Sequence, residues 1–278
     1  MRIGTRRSKL ALKQSELFSE RVGGRNTLIG ISSAGDIDKS SSLEEIGGSG
    51  LFVDVLNKEV LKGNVDCAVH SAKDLPTRID GDLEIACVFE WKNYHDVMLC
   101  RNNTPFNGKG IVGTSSPRRR EQIMRAYPDA TIKNIRGNVD TRIRKMNEGE
   151  YDCLIMSEAG LIRLYPDIRM QILPAEQFVP SANQGIIAVV TRRDSKYLKE
   201  LKSLSDPVAS RRMEMERAAS MELNVGCSEP TGIFFDPESN ILYLDISNGR
   251  KHVSVKASAR NIADVKIIAL GAKQKMQR

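Results

Sequence analysis

The sequence has few aromatic residues and no long apolar run. Phe, Trp and Tyr together make up 5% of its 278 residues. Proteins that bind single-stranded nucleic acid stack bases on aromatic side chains, so this composition argues against that class of partner. The longest apolar runs, "GIIAVV" and "KIIALGA", are far shorter than the roughly 18 residues of a membrane-spanning helix. We therefore expect neither a nucleic-acid partner nor membrane insertion.

The sequence also lacks the marks of a metal site or of secretion. Its five cysteines form no CxxC pair and have no zinc-like spacing with the three histidines, so we expect no metal. The N-terminal segment "MRIGTRRSKL" lacks the apolar stretch of a signal peptide. With an odd number of cysteines, this predicts reduced thiols in a cytoplasmic protein. Walker A, HExxH and GxSxG signatures are absent, as is GxGxxG in a strand-to-helix setting.

Positive charge, in contrast, is plentiful and concentrated. The formal net charge is +7, and residues 114 to 145 hold nine basic and three acidic residues. Three consecutive arginines, 118 to 120, follow Ser116 and Pro117, which predict the N-cap and first residue of a helix. The helix dipole disfavours each cation there by roughly 0.3 to 1 kcal/mol, whereas a bound anion is stabilised. The residues alone leave open a solvated basic face or a site for an anionic ligand.

Short apolar runs alternate with helical periodicity over the first 200 residues. Strands are predicted at "RIGT", "IGIS", "DCAVHS", "IVGTS", "TIKNI", "DCLIMS" and "IIAVVT", and helices at 8–22, 50–61, 117–126 and 138–148. This alternation predicts an α/β fold with mixed, mostly parallel sheets that helices cover on both faces. Beyond residue 203, a helix at about 208–223 and the alternating runs "ILYLDIS" and "VSVKAS" predict a small α+β domain.

Two segments of the chain resemble each other. "KGNVDCAVHSAKDL" (62–75) aligns without gaps to "EGEYDCLIMSEAGL" (148–161), and five of the fourteen residues are identical. Each copy predicts a tight turn, a buried strand and a loop at the carboxyl end of the strand, where ligands bind in open α/β sheets. We therefore expect two related halves. Asp74 aligns with Gly160, so we expect one active site that the halves share.

Two residues are candidates for chemistry. Asp74 could be a simple turn acid or the partner of Lys73; near several arginines it should stay ionised, because cations favour the carboxylate. Cys227, in "NVGCSEPTG", could be an incidental thiol, or a reachable nucleophile that forms a stable covalent bond. The start of the chain, "GTRRSKLALKQ", repeats the pattern of paired arginines before a capped helix, with Ser8 as the cap.

Taken together, ten motifs carry a resemblance to a known family. They are, in order, "TRRSKLALKQ", "SSAGDI", "GGSGLFV", "DCAVHSAKDLPT", "VGTSSPRRR", "IRGNVDTRI", "AGLIRL", "NQG", "ERA" and "VGCSEPTG". In this order they resemble the porphobilinogen deaminases, also called hydroxymethylbilane synthases. The resemblance covers residues 1 to about 235.

The resemblance implies a fold, an activity and a cofactor. The fold is two lobes like those of periplasmic binding proteins plus a small C-terminal α+β domain, here domain 1 (1–90 and 186–203), domain 2 (94–181) and domain 3 (207–278). The activity is that of a transferase of haem biosynthesis, which joins four porphobilinogen molecules into 1-hydroxymethylbilane and releases ammonia. The cofactor is dipyrromethane, bound through a thioether to the cysteine that matches Cys227. We further expect a cytoplasmic monomer.

The resemblance also implies roles for single residues. Asp74 would stabilise the cation that forms when porphobilinogen loses ammonia. The cofactor side chains would be held by Lys73, Ser116, Arg118, Arg119 and Arg142, with Asp74 against the pyrrole N–H groups. The incoming ring or growing chain would be met by Arg6, Ser8, Gln14, Arg136, Arg163 and Gln184.

Some positions depart from the family pattern, and a rival function remains. Glu45 and Ser49 stand where lysines are common, Val225 replaces a glycine beside Cys227, and residues 157–158 (Ser-Glu) replace small apolar ones. The rival is a non-catalytic two-lobed binding protein for an anionic small molecule. Such a protein would need neither Cys227 nor a third domain, and it would normally carry an export signal.

Overall fold

The computed structural model describes residues 1–32, 50–225 and 230–278. The chain divides into two compact units, Met1–Trp91 with Ile186–Arg211, and Lys92–Gly185 with Arg212–Arg278. The second unit contains the whole of the predicted second domain and all but residues 207–211 of the predicted third. The division into three domains therefore stays a prediction.

Strands and helices alternate along most of the described chain. The strands are β1 (Arg2–Arg6), β2 (Thr27–Ile31), β3 (Cys67–Ser71), β4 (Leu83–Phe89), β5 (Asp96–Cys100), β6 (Gly110–Gly113), β7 (Ala130–Lys133), β8 (Cys153–Ser157), β9 (Gln171–Leu173), β10 (Ile187–Arg192), β11 (Thr231–Asp236), β12 (Ile241–Ser247) and β13 (His252–Ser258). The helices are α1 (Lys9–Val22), α2 (Gly50–Leu61), α3 (Pro117–Ala126), α4 (Val139–Asn147), α5 (Glu158–Leu164), α6 (Leu198–Ser203), α7 (Pro207–Leu223) and α8 (Ile262–Gln277). None of these helices is long and apolar enough to cross a membrane.

The first unit is built on a five-stranded mixed sheet with the order β2-β1-β3-β10-β4. The pairs β1–β2 and β1–β3 are parallel, and β10 is antiparallel to both β3 and β4. Residues 67–70 of β3 and 187–191 of β10 are all buried, as expected for central strands covered on both faces. Helix α1 begins after Ser8, whose hydroxyl accepts from the N–H of Ala11, and buries Phe18 in the core of this sheet.

The second unit contains a sheet of the same design. Its order is β7-β6-β8-β5-β9, with β6 parallel to β7 and β8 and with β5 antiparallel to β8 and β9. Strand β8 therefore holds the position that β3 holds in the first unit. These are the strands of the two similar segments, so the prediction of two related halves is confirmed.

A third sheet completes the second unit. Strands β11, β12 and β13 form an antiparallel sheet in that order. Helix α8 buries Val265, Ala269 and Ala272, which follow each other at helical spacing, in the same core as Phe235 and Leu244 of the sheet. The predicted α+β arrangement of the C-terminal residues is confirmed.

The helices and strands predicted from the sequence are present. The structure also contains elements, such as β9 and α8, that have no clear signal in the sequence. Helices predicted at 8–22, 50–61, 117–126, 138–148 and 208–223 correspond to α1, α2, α3, α4 and α7. Strand β9 has only three residues, too few for a pattern. Helix α8 carries apolar residues on its outer face as well, because Ile267 is 72% exposed, and this weakens its periodicity.

One expectation about the cysteines is wrong. Cys100 at the end of β5 and Cys153 at the start of β8 face each other in the antiparallel ladder, with their Cα atoms 4.1 Å apart, and form a disulfide. Cys67 and Cys87 are buried and take no part in a disulfide. The sequence could not indicate this pair, because its 53-residue separation is closed only by the register of two strands.

We expect the Cys100–Cys153 disulfide to stabilise the second unit. For a separation of 53 residues, the chain-entropy model gives a stabilisation of about 4 kcal/mol. Dithiothreitol should therefore lower the free energy of unfolding of the parent protein and leave that of Cys100→Ser unchanged. Cys87→Ser is the control and should keep the response to the reductant. Equal unfolding curves of the parent with and without reductant would contradict the expectation.

Candidate functional site

The arginine-rich helix start is formed as predicted, but its charges face inward. Ser116 is the N-cap of α3 and Pro117 is the first helical residue. Arg118 and Arg119 are only 4% and 8% exposed. The interpretation as a solvated basic face is therefore wrong for these two residues. Burying two neighbouring guanidinium groups is unfavourable unless an anion lies beside them.

Asp96 supplies that anion. It is the first residue of β5, is 1% exposed, and was not singled out by the sequence patterns. Its Oδ2 accepts from Nη1 of Arg118 (2.6 Å), and its Oδ1 accepts from Nε (3.0 Å) and Nη2 (2.8 Å) of Arg119. Burial raises the pKa of Asp96, but the two guanidinium groups outweigh burial and hold that pKa far below its usual range. The carboxylate is therefore ionised throughout the neutral range.

The two arginines differ in how their other donors are used. Arg119 also donates through Nη1 to the carbonyl oxygen of Ile155 (3.1 Å) and through Nη2 to Oε1 of Gln184 (3.3 Å). Arg118 uses Nη1 alone, for Asp96, Gln122 (3.1 Å) and the carbonyl oxygen of Val179 (2.9 Å). Within the described part of the chain, Nε and Nη2 of Arg118 therefore keep their capacity to donate to a ligand.

Gln184, predicted to contact substrate, is fully buried beside this cluster. Its Nε2 donates to the carbonyl oxygens of Tyr94 (2.9 Å) and His95 (3.1 Å) and to Oδ1 of Asp96 (2.9 Å). Its side chain thus ties the loop before β10 to the residues that lead into β5. The predicted contact with substrate stays a prediction.

A second buried ion pair fixes the other side of this loop. On α7, Nε of Arg212 donates to Oε1 of Glu216 (2.8 Å), and both side chains are fully buried. Glu216 also accepts from the backbone N–H groups of Asn183 and Phe235, while Arg212 donates to the carbonyl oxygen of Gln184 (2.9 Å). Burial raises the pKa of Glu216, and the charge of Arg212 opposes that shift. Helix α7 therefore holds the backbone on both sides of the Asn183–Gln184 peptide bond.

Three further predicted arginines lie in the same unit. Arg142 on α4 donates through Nε to the carbonyl oxygen of Gly137 (2.8 Å), and burial together with the charge of Arg119 lowers its pKa to about 10. Arg163 on α5 donates to the carbonyl oxygen of Gly185 (2.6 Å). Arg136 lies partly exposed between β7 and α4. Burial is the larger cause of the lowered pKa of Arg142, and the positive charge of Arg119 adds to it.

The remaining predicted residues belong to the first unit. Arg6 ends β1, Ser8 caps α1, and Lys73 and Asp74 form a short 3-10 turn directly after β3. Strands β1 and β3 are parallel neighbours, so these residues share the carboxyl edge of the sheet. Gln14 of α1 reaches the same edge, since its Nε2 donates to the hydroxyl of Ser71 (3.0 Å).

Burial and nearby cations act on Asp74 in opposite directions. Burial raises the pKa of this carboxyl group above its ordinary value, and the positive charges of Lys73 and Arg6 oppose that shift only in part. Loss of water outweighs the cations in setting the direction, so the expectation that Asp74 stays ionised remains a prediction. A further positive charge beside Asp74 would favour its carboxylate form.

Some of the positions discussed from the sequence lie outside the described residues, and others make contacts within the protein. Cys227, Glu45 and Ser49 fall in 226–229 and 33–49, outside the described ranges. Val225 packs against the core of the third sheet. Glu158, at the start of α5, accepts from the backbone N–H of His95 (3.2 Å), whose ring nitrogen Nδ1 lies 2.9 Å from the same oxygen.

Comparisons with known proteins show the family of this chain. Residues 1–200 match the family model described as "Porphobilinogen deaminase, dipyromethane cofactor binding domain". The chain belongs to the porphobilinogen deaminase family. A probable porphobilinogen deaminase of Picrophilus torridus is 41% identical over 238 residues, 84% of each chain. That of Methanocella arvoryzae is 38% identical and covers 98% of this chain and 96% of its own.

Solved structures with lower similarity also match this member of the porphobilinogen deaminase family. One is the second substrate-binding domain of a putative amino acid ABC transporter from Streptococcus pneumoniae, with 9% identity and a TM-score of 0.45. The match covers 73% of this chain and 90% of the other.

Asp96 and Glu216 are two buried acids beside Gln184 that sequence reasoning missed. A local signal existed for Glu216, because Arg212 precedes it by four residues, the spacing of neighbours on a helix. Asp96 had only an indirect signal, namely that two inward-facing arginines in a strand-to-helix turn require a carboxylate from elsewhere in the unit. The sequence does not indicate which acidic residue supplies that carboxylate.

The depressed pKa of Asp96 predicts a pH-dependent loss of stability in acid. The stabilisation is fully present above the pKa of an unfolded aspartate, about 3.9, and is lost as the pH falls toward the lower folded pKa. The difference in free energy of unfolding between the parent and Asp96→Asn should be constant above about pH 5. Below about pH 4 it should shrink by about 1.4 kcal/mol per pH unit. Urea unfolding of both proteins at several pH values measures this difference in free energy. A difference that does not change with pH would contradict the prediction.

Proposed function

We propose that this chain is a porphobilinogen deaminase. As a transferase of haem biosynthesis, it would join four porphobilinogen molecules head to tail, lose ammonia at each step and release 1-hydroxymethylbilane. The observation that carries the proposal is the family match over residues 1–200, which contain every predicted site residue except Cys227. The buried cations around Asp96 support it, because porphobilinogen is an anionic molecule.

The residues present fit the dipyrromethane cofactor named by the family model. Each of its two pyrrole rings carries an acetate and a propionate, so it presents four carboxylates. Arg118 keeps Nε and Nη2 for such a group, and the lowered pKa of Arg142 reflects a charge that a nearby carboxylate would stabilise. A planar guanidinium holds a carboxylate through two parallel hydrogen bonds, which an ammonium cannot do.

The proposed holders of the cofactor are those that the family resemblance indicates. Cys227 would attach it through a thioether, and when bound the cofactor supplies the two rings from which the chain of pyrroles extends. Its side chains would bind to Lys73, Ser116, Arg118, Arg119 and Arg142. The incoming ring and the growing chain would bind to Arg6, Ser8, Gln14, Arg136, Arg163 and Gln184.

Asp74 has the electrostatic properties that the reaction needs. Loss of ammonia from porphobilinogen leaves a methylene-pyrroleninium cation, and a fixed carboxylate beside it lowers the energy of the transition state that forms it. Because burial raises the pKa of Asp74, its ionised form lacks the hydration it would have in water. The interaction with a developing cation is then stronger than it would be at an exposed site.

We expect Asp74→Asn to lower kcat by about a hundredfold or more. The substitution keeps the shape of the side chain and removes its charge, and comparable electrostatic groups contribute roughly 2.7 to 4 kcal/mol to catalysis. The melting temperature at neutral pH should not fall, because burial disfavours the charged form that the variant removes. Steady-state kinetics and thermal unfolding measure the two effects. Ordinary turnover in this variant would refute the assignment.

The covalent cofactor predicts a mass excess. Intact-mass measurement of freshly purified protein should show the sequence mass plus one dipyrromethane, and Cys227→Ser should lose the excess. Cys87→Ser is the control and should retain it, because Cys87 is buried. The bare sequence mass in active protein would exclude the proposal. A two-lobed binding protein would have no such excess.

A further inference from the structure

The carboxylate of Asp96 joins three parts of the second unit. It comes from the start of β5, the two arginines it binds come from the first turn of α3, and Gln184 comes from the loop before β10. One oxygen serves Arg118, and the other serves Arg119 and Gln184. The relative position of the two arginines therefore depends on a single rigid planar group.

The charge balance of this cluster is incomplete. Arg118 and Arg119 carry two positive charges, Asp96 carries one negative charge, and all three side chains are at least nine-tenths buried. One net positive charge remains. Arg142 lies close enough to add to it, since the charge of Arg119 contributes to the lowered pKa of Arg142. A buried cation without full compensation is a ready partner for a ligand carboxylate.

The hydrogen bonds also fix which edge of Arg118 faces away from the protein acceptors. Asp96, Gln122 and Val179 all accept from Nη1, so the hydrogen bonds to the protein are made by one of the three nitrogens of the guanidinium group. Nε and Nη2 lie on the remaining edge, and they form the pair of parallel donors that suits a carboxylate. If Asp96 were displaced, this edge would rotate even though the arginine remained.

We propose that Asp96 is a positioning residue for ligand carboxylates, which acts by holding Arg118 and Arg119 in a binding orientation. This inference rests on the proposed function, since the ligand is the dipyrromethane cofactor or the pyrrole chain. Asp96 itself touches no ligand in this proposal. It determines how tightly the arginines bind and therefore how much of the protein carries the cofactor.

A plain structural ion pair is the rival explanation, and the same unit offers a matched control. Asp245 on β12 is 4% exposed and accepts from Nη2 of Arg125 through both oxygens, at 2.8 and 2.6 Å. Neither residue belongs to the predicted site. Asp245 also lies 3.0 Å from Nε2 of His252, and neither Arg118 nor Arg119 donates to it. Asp245→Asn therefore removes a buried aspartate charge paired with an arginine of the same helix, while the contacts of Asp96 are kept.

The experiment compares cofactor loading at matched stability. Asp96→Asn, Asp96→Glu and Asp245→Asn are produced alongside the parent, and each is examined by intact mass and by thermal unfolding. We expect both asparagine variants to melt at lower temperature than the parent. Asp96→Asn should have a loaded fraction at least tenfold below the parent, whereas Asp245→Asn should be loaded as fully as the parent.

Asp96→Glu separates charge from position. It keeps the negative charge but moves the carboxylate by one methylene group, and displacements of about 1 Å in a binding constellation can reduce rates about a hundredfold. We expect a folded protein with a loaded fraction clearly below that of Asp245→Asn. In the fraction that is loaded, KM for porphobilinogen should rise at least tenfold, with a smaller change in kcat.

The outcomes distinguish this inference from the proposed function. If the parent carries no dipyrromethane, the proposed function fails and the role of Asp96 fails with it. If the parent is loaded and both Asp96 variants load as well as Asp245→Asn, only the positioning role is refuted. If Asp96→Asn does not fold, Asp96→Glu decides; if neither folds, Asp96 serves stability alone and the inference is wrong.

Discussion

The second unit depends on one buried carboxylate between two buried guanidinium groups. Withdrawing an ion from water costs several kcal/mol even after relaxation, and only good geometry with further hydrogen bonds offsets that cost. Asp96 meets this condition by accepting from both arginines and from Gln184 at once. The start of α3 and the loop before β10 are thereby fixed to β5, and the orientation of the arginines follows from that attachment.

The two units use charge in opposite ways. Around Asp96, positive charge exceeds negative charge, and the surplus suits the acetate and propionate groups of pyrroles. At the carboxyl edge of the first sheet, Asp74 is a carboxylate whose pKa burial raises despite Lys73 and Arg6. Each environment suits one feature of the proposed reaction, which joins anionic substrates by way of a cation. Arginines alone would bind the substrates, but they would oppose the charge that forms during loss of ammonia.

Sequence reasoning succeeded where the relevant contacts are local. Ser116 and Pro117 predict the start of α3 correctly, because helix capping involves residues that are neighbours along the chain. The two similar segments that contain "DC" indicate equivalent strands, because a buried strand is recognised from a run of a few neighbouring residues. Asp96 and the Cys100–Cys153 disulfide could not be found this way, since each depends on which strands are adjacent and in what register. The direction of the Asp74 pKa depends on burial, which cannot be read from the charges in the sequence.

The two sheets of the same design differ in the residues that follow their equivalent strands. Strands β3 and β8 hold the same position, yet β3 leads into the short turn that carries Asp74, whereas β8 leads into α5 with Gly160 at the matching place. The acid near the end of β8, Glu158, is bound by the backbone and ring of His95. The second copy instead supports the arginines, because the carbonyl oxygen of Ile155 accepts from Arg119. Equivalent strands are thus followed by an aspartate turn in one unit, and in the other they supply a backbone acceptor for a buried arginine.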